Sequence, residues 1–240
     1  MKVDLPIITV ITVCYNAINS ISETVRSVLN QSYFSNIEYI VIDGNSTDGT
    51  LDVLNSNLSG IDKLISEPDL GIYDAMNKGI LNASGDWILF LNAGDKFFGD
   101  DTLQNIYEQL LECDVLYGKT AIQNRDSKRR IRDSYPRSID WKVIPYCHQS
   151  VLIKRDILAK SLFNTSYKIA ADYDQYFRLK NNNIKFESVT NIISVYDNEG
   201  FSALNYKSLL KEYKEISLLN HPGVFKKLLI FLYFSIKIYL

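Results

Sequence analysis

The run Ile7 to Cys14, IITVITVC, is apolar and β-branched almost without interruption. That pattern predicts a strand covered on both faces. After it, Ile21, Val25, Val28 and Leu29 repeat at helical spacing, and Ser20 with Glu23 has the S-x-x-E form of a capping box. Ile37 to Ile42 predicts a second strand, followed by the turn-rich DGNSTDGT and a helix from about Thr50. A strand near Leu64 and Ile65 leads through EPDLG to a helix over Ile72 to Asn82, and WILFL (87–91) reads as a central strand. Repeated β-α-β order with unbroken apolar strands predicts an α/β fold: a mainly parallel, Rossmann-like sheet with helices on both faces.

Beyond Val115 the pattern changes. VLYGKTAIQ (115–123) and KRRIRDSY (128–135) predict two strands around the polar turn NRDS, with Lys128 to Arg132 as a solvated basic arm and a grip on phosphate or anionic lipid as the alternative. AADYDQYFRL (170–179) has helical spacing, and IKFES (184–188) and NIISVY (191–196) predict two late strands. The final stretch, Val224 to Leu240, is different. It has 17 residues, three of them Lys, and its longest uncharged run is Leu228 to Ile236. As a helix it would extend about 25 Å, short of the ~30 Å bilayer core. A Lys-flanked helix lying on a membrane surface fits it better than a span, and burial against a partner chain or the chain's own core is the alternative.

Length and composition narrow the picture. The chain has 240 residues, 46% of them hydrophobic, enough to bury one large core. Its 26 Lys and Arg against 28 Asp and Glu give a net charge of −2, so no basic field exists to hold nucleic acid. Cys14, Cys113 and Cys147 are odd in number and far apart. They fit neither a disulfide framework nor a zinc site, and favour a reducing compartment. MKVDLPIITV carries Asp4 and Pro6 and no small-residue cleavage site, unlike a signal peptide.

Candidate chemistry gathers at strand ends, where parallel sheets bind ligands. Tyr15 and Asn16 follow the first strand, Asp43 the second, and Asn92-Ala93-Gly94-Asp95 the central one. Asp48, before Gly49-Thr50, has the position of a turn residue or helix cap.

Together, and in this order, ITVCYNAINSISETVRSVLNQSY, IEYIVIDGNSTDGT, EPDLGIYDAMNKGILNASGDWILFLNAGD, HQSVL and AADYDQYFRL resemble the family 2 glycosyltransferases of bacterial polysaccharide assembly. The resemblance covers about residues 5 to 200. It implies a GT-A fold in one domain, residues 1–220, with a C-terminal helical extension as residues 221–240. Residues 1–98 would form the nucleotide-sugar half and 99–220 the acceptor half. The implied reaction is inverting transfer of a sugar from a nucleotide-sugar donor to a glycan or lipid-linked acceptor, in the cytoplasm at the inner face of the membrane.

The resemblance also implies roles. Thr12, Tyr15 and Asn16 match the family's first-strand end, and Asp43 its nucleobase-contacting carboxylate. Asp69, Asp74, Asn77 and Lys78 match its D-x-G-x-x-x-A-x-N-x-G-like donor segment, with Lys78 offsetting diphosphate charge. His148 and Gln149 match a pair at the donor–acceptor junction. Asp172, at a late helix start, matches the general base, with Asp174 and His148 as alternatives. Arg178 is placed to pair with Asp174 at i, i+4.

The metal motif departs from the family's D-x-D. Only Asp95 keeps a carboxylate, while Asn92 and Ala93 line the donor side. One carboxylate plus a donor diphosphate meets the needs of Mg²⁺ or Mn²⁺, so a metal of weakened affinity is expected, with metal-free charge neutralisation as the alternative. Two other readings give way to this one. A nucleotidyltransferase would need a Gly-rich basic loop where CYNAINS stands, and a non-catalytic binding protein would not need to keep both Asp95 and Asp172.

Overall fold

The computed structural model describes residues 5–123, 129–197 and 205–239. Four parallel strands come first: β1 (Ile8–Cys14), β2 (Ile37–Asp43), β3 (Lys63–Ser66) and β4 (Trp87–Phe90). They alternate with α1 (Ile21–Leu29), α2 (Thr50–Asn55) and α3 (Ile72–Asn82). The later strands are β5 (Lys96–Phe97), β6 (Val115–Gln123), β7 (Arg129–Arg132), β8 (Val151–Lys154) and β9 (Phe186–Asp197). All nine join one sheet in the order β3-β2-β1-β4-β8-β6-β9-β5, with β7 paired to β6. The β-α-β pattern thus predicts the N-terminal half correctly. The C-terminal half is mixed: β8 runs antiparallel to both β4 and β6, while β6 and β9 are parallel.

Both faces of the sheet are covered, which is why the strands read as continuous apolar runs. Ile11, Val13, Ile40, Ile42 and Phe90 face α3 and α5 (Ala171–Asn181). Ile8, Val10, Tyr39, Val41 and Leu89 face α1 and α2. Gly79 lets α3 approach closely, since a Cβ there would stand 2.5 Å from Ile11 Cγ2.

Two local expectations change. The Ser20–Glu23 capping box does not form: Ser20 makes no side-chain cap bond, and Glu23 pairs instead with Lys96 at 2.7 Å. The two late strands are one, β9. Its register slips opposite Tyr117 to Thr120, where a Cβ on Gly118 would meet the Asn191 carbonyl at 2.6 Å. The polar break between the two apolar runs is therefore a bulge, which bends a strand without ending it. The turn NRDS lies outside the described residues; Arg129–Arg132 pairs with β6 as expected.

After α4 (Arg155–Lys160) and α5, the chain ends in α6 (Tyr206–Asn220) and α7 (Val224–Tyr239). Leu210, Ile230, Phe234 and Ile238 make a third small core beside Trp141. Buried Asp140 ties this region to α5. It accepts from Tyr176 at 2.8 Å and Lys180 at 2.5 Å, and His221 Nε2 stands 3.3 Å away. Among the described residues no helix is long and apolar enough to cross a membrane.

Candidate active site

The C-terminal ends of β1 and β4 open into a cleft of about 720 Å³. Four segments wall it: residues 13–17 at the end of β1, the loop from Asp69 into α3, the Asn92–Asp95 turn, and His148-Gln149 before β8. Lys168 and Tyr196 complete it from the C-terminal half.

The Asn92–Asp95 turn is set by its backbone. Gly94 has φ of +100°, a conformation that favours glycine. Thr24 of α1 pins the turn, accepting from the Gly94 N–H at 3.0 Å and donating to the Asp95 carbonyl at 2.7 Å. Asp95 is thereby fixed at the cleft wall, almost fully buried.

Beside it, Asn92 Nδ2 donates to His148 Nε2 at 3.0 Å. Burial lowers the His148 pKa to about 4, so the ring is neutral at pH 7 and can accept this bond. Asn92 Oδ1 is buried and has no hydrogen-bond partner. An orphaned buried acceptor costs about 1–3 kcal/mol, so this oxygen suits a ligand-borne donor or a cation. No group of three or more His, Cys, Asp or Glu among the described residues could hold a metal. The set present is one carboxylate and one amide oxygen. Both are hard donors, and they fit a Mg²⁺ or Mn²⁺ ion that takes its other ligands from phosphate and water.

Tyr15 is 65% exposed at the cleft mouth, its ring beside Gly44 and Asp69. Asn16 adopts a positive φ of 48°. It is locked to the β2 loop, donating its N–H to Ser46 Oγ at 2.8 Å and accepting from the Thr47 N–H at 2.9 Å.

Other expected contacts lie elsewhere. Thr12 is wholly buried, donating to the Leu91 carbonyl at 2.8 Å, and joins β1 to β4 from within. Asp43 is also wholly buried and lies beneath the cleft, not in it. Its carboxylate accepts from the Ser46 N–H at 3.0 Å, from the Ser46 hydroxyl, and from Ser66 Oγ at 2.7 Å. The Cys14 thiol also points to it from 3.6 Å. Asp43 therefore braces the loop that holds Asn16. Asp48 accepts from the Thr50 and Ile18 N–H groups, the turn role expected of it.

The α3 segment divides. Asp69 lines the cleft and accepts from the Gly71 N–H at 2.8 Å. Asp74 accepts from the Leu70 N–H at 3.0 Å, outside the lining. Asn77 turns away to bond Phe163 in both directions, at 2.9 and 2.8 Å. Lys78 donates to the Pro68 carbonyl and to Glu67, each at 2.8 Å. These three side chains fasten α3 to its neighbours.

Asp172 sits in the first turn of α5, bordering a small, mostly apolar cavity that His148 also lines. Burial raises its pKa to about 6, against a bond from the Tyr173 N–H at 2.9 Å and the charge of Arg132. Arg178 pairs with Asp174 at 2.8 Å, as i, i+4 spacing predicts.

Two groups escape sequence reasoning. Lys168 is the one Lys or Arg among the described residues lining the cleft. Its only local signal is a lone lysine four residues before Asp172. Glu212 of α6 accepts from three successive backbone N–H groups, Lys168 at 2.9 Å, Ile169 at 3.0 Å and Ala170 at 2.8 Å. One carboxylate thus holds the loop that carries Lys168 into the cleft and leads to Asp172. No local sequence pattern signals a clamp spanning more than forty residues.

Comparison with known proteins agrees with this architecture. An uncharacterised glycosyltransferase of Mycobacterium tuberculosis is 34% identical over 184 residues, 72% of this chain and 68% of its own. A PGL/p-HBAD biosynthesis glycosyltransferase of Mycobacterium bovis is 27% identical over 227 residues, covering 91% and 87%. Among solved structures, Staphylococcus aureus TarS 1-349 in complex with UDP-GlcNAc superposes with a TM-score of 0.71 at 17% identity, covering 91% of this chain and 68% of TarS. The mannosyltransferase PcManGT of Pyrobaculum calidifontis, in complex with GDP-Man and Mn²⁺, gives 0.70 at 18%, covering 98% and 70%. The fold is GT-A. The profile of glycosyl transferase family 2 matches residues 9–183, and the chain belongs to that family.

Proposed function

We propose that this enzyme transfers a sugar, with inversion, from a nucleoside-diphosphate sugar to a hydroxyl of a glycan or lipid-linked acceptor. The product would enter a surface polysaccharide. The names of two relatives support the pathway class: PGL/p-HBAD biosynthesis in Mycobacterium bovis, and putative teichuronic acid biosynthesis in Bacillus subtilis, the latter 37% identical over 120 residues. Work on a lipid-carried acceptor belongs at the inner face of the cell membrane. Residues 1–98 serve the donor and 99–220 the acceptor in this reading.

One observation carries the donor assignment. Asp95, Asn92 and Lys168 line the same cleft, at the sheet edge where parallel folds bind nucleotides, and the buried Asn92 oxygen lacks a partner. The exposed Tyr15 ring offers a flat wall for a base, with Asp69 beside it. Asp95 and Asn92 would hold Mg²⁺ or Mn²⁺; when bound, the ion supplies positive charge to the leaving diphosphate. Lys168, whose ammonium rests on the Thr165 carbonyl at 3.1 Å, adds a second positive charge at the cleft.

Asp172 removes the proton from the acceptor hydroxyl as that oxygen bonds to the sugar's anomeric carbon. The bond from that carbon to the diphosphate breaks, and the diphosphate leaves with its electron pair. A carboxylate with a pKa near 6 is mostly ionised at pH 7 and still basic enough to help. His148 serves less well as base, because its Nε2 lone pair already faces the Asn92 amide.

The test is a panel of UDP-, GDP- and dTDP-sugars, assayed for hydrolysis and thermal shift with Mn²⁺ and with EDTA. One nucleotide should stabilise the protein, more so with Mn²⁺. Lys168→Met should weaken that nucleotide about tenfold. No shift from any nucleotide would remove the donor assignment.

A further inference from the structure

Helix α7 has two apolar faces, and the fold uses one. Ile230, Phe234 and Ile238, at i, i+4 and i+8, are buried against Leu210 and Trp141. At 100° per residue, the opposite side carries Phe225, Leu228, Leu229, Leu232, Ile236 and Tyr239. All six are exposed, from 48% at Leu229 to 90% at Phe225. Nothing polar interrupts this stripe, which runs the length of the helix, about 24 Å at ~1.5 Å per residue. Its chemistry is not that of a solvated helix.

Cations rim the stripe. Lys214 of α6 stands 3.7 Å from the centre of the Phe231 ring on one flank. Lys226 and Lys237 lie on the other, over the rings of Trp141 and Tyr233 at 4.8 and 5.3 Å. Residues 221–240 hold three lysines and no Asp or Glu, in a chain whose net charge is −2. On α6, Glu212 and Glu215 are turned inward, to the 168–170 backbone and to the Tyr167 hydroxyl.

We propose that this outward face docks on an anionic lipid bilayer, α7 lying in the plane of the interface. Apolar side chains sink among the acyl chains, the lysine rims meet acidic headgroups, and Phe225 and Tyr239 anchor the two ends at headgroup depth. A second copy of the chain suits the face less well. Self-docking would bring lysine rims against lysine rims, like charges that a second copy of this face does not offset. The face lies apart from the cleft, so the proposal stands or falls independently of the donor assignment.

The experiment uses the whole protein and needs no substrate. It is sedimented with vesicles of phosphatidylglycerol and phosphatidylcholine mixed, and with phosphatidylcholine alone. The wild type should pellet with the anionic vesicles, and at least tenfold less at 0.5 M than at 0.1 M salt. Leu229→Gln with Leu232→Gln, and separately Lys237→Glu, should each weaken pelleting about tenfold. All these positions are exposed, so thermal melts should match the wild type and exclude misfolding as the cause. Wild-type protein that stays in the supernatant with anionic vesicles overturns the proposal. So does unchanged pelleting of the Leu229/Leu232 variant. A dimer in analytical ultracentrifugation that this variant dissolves, without vesicle binding, assigns the face to a second copy instead.

Discussion

Asn92 gives its amide N–H to His148 at 3.0 Å and keeps its own Oδ1 buried without a partner. The pair joins the turn after β4 to the segment before β8 at the cleft wall, and leaves the Asn92 oxygen in need of a partner. The first prediction follows. Asn92→Asp restores a second carboxylate beside Asp95, and should tighten Mn²⁺ about tenfold or more in calorimetry. Unchanged Mn²⁺ affinity would show that no ion sits at this turn.

Asp172 trades stability for basicity. A carboxyl whose pKa rises to about 6 on folding contributes stability only while protonated. That contribution is complete below pH ~4 and is lost as pH rises through 6. Asp172→Asn should therefore raise stability at pH 8 by about 1–3 kcal/mol and lower kcat by roughly 10²–10⁴. Wild-type kcat should fall below pH 6. A variant that keeps turnover, or melts earlier at pH 8, would show that the carboxylate is not held this way.

Glu212 should act on the reaction without touching it. Three N–H groups lose their shared acceptor in Glu212→Ala, at a cost of about 2–4 kcal/mol. The loop bearing Lys168 should loosen, with kcat falling more than nucleotide affinity. Glu212→Gln keeps one acceptor oxygen and should recover part of the rate. If both variants match the wild type in kcat, the clamp is structural only.

Glu38 predicts the acid limit. Burial raises its pKa, but bonds from Thr9 and Ser84 overcome that and bring it down to about 2. The carboxylate links β1, β2 and the turn before β4, accepting from Thr9 Oγ1 at 2.6 Å and the Ser84 N–H at 2.7 Å. A depressed pKa gives stability that is present above pH ~4.5 and lost as pH falls toward 2, here roughly 2–3 kcal/mol. In urea unfolding, Glu38→Gln should be much less stable than wild type at pH 7, and the gap should narrow by pH 3.

The N-terminal architecture was legible because its signals are local. Short, β-branched apolar runs bounded by turn residues mark strands covered on both faces, and α3 begins and ends at the predicted Ile72 and Asn82. Strand ends must lie at one sheet edge, so Tyr15, Asn16 and Asp95 were placed in the cleft by topology alone. The tertiary structure decided what each polar side chain does there. Asp43 and Thr12 stand at the same strand ends but lie beneath the cleft, because long-range packing covers them: Ser46 and Ser66 take up the Asp43 carboxylate, and the Leu91 carbonyl takes the Thr12 hydroxyl. Asn77 looks like a solvent-facing helix amide until Phe163, 86 residues later, arrives beside it. Glu212 and Lys168 became functional candidates only when α6 packed against the loop before α5. For α7, the sequence determined a helix apolar nearly all round, and only the docking against Leu210 and Trp141 determined which face was left uncovered. Local periodicity is set by bonded geometry within a few residues. The partner of a side chain is set by long-range packing, which local spacing does not encode.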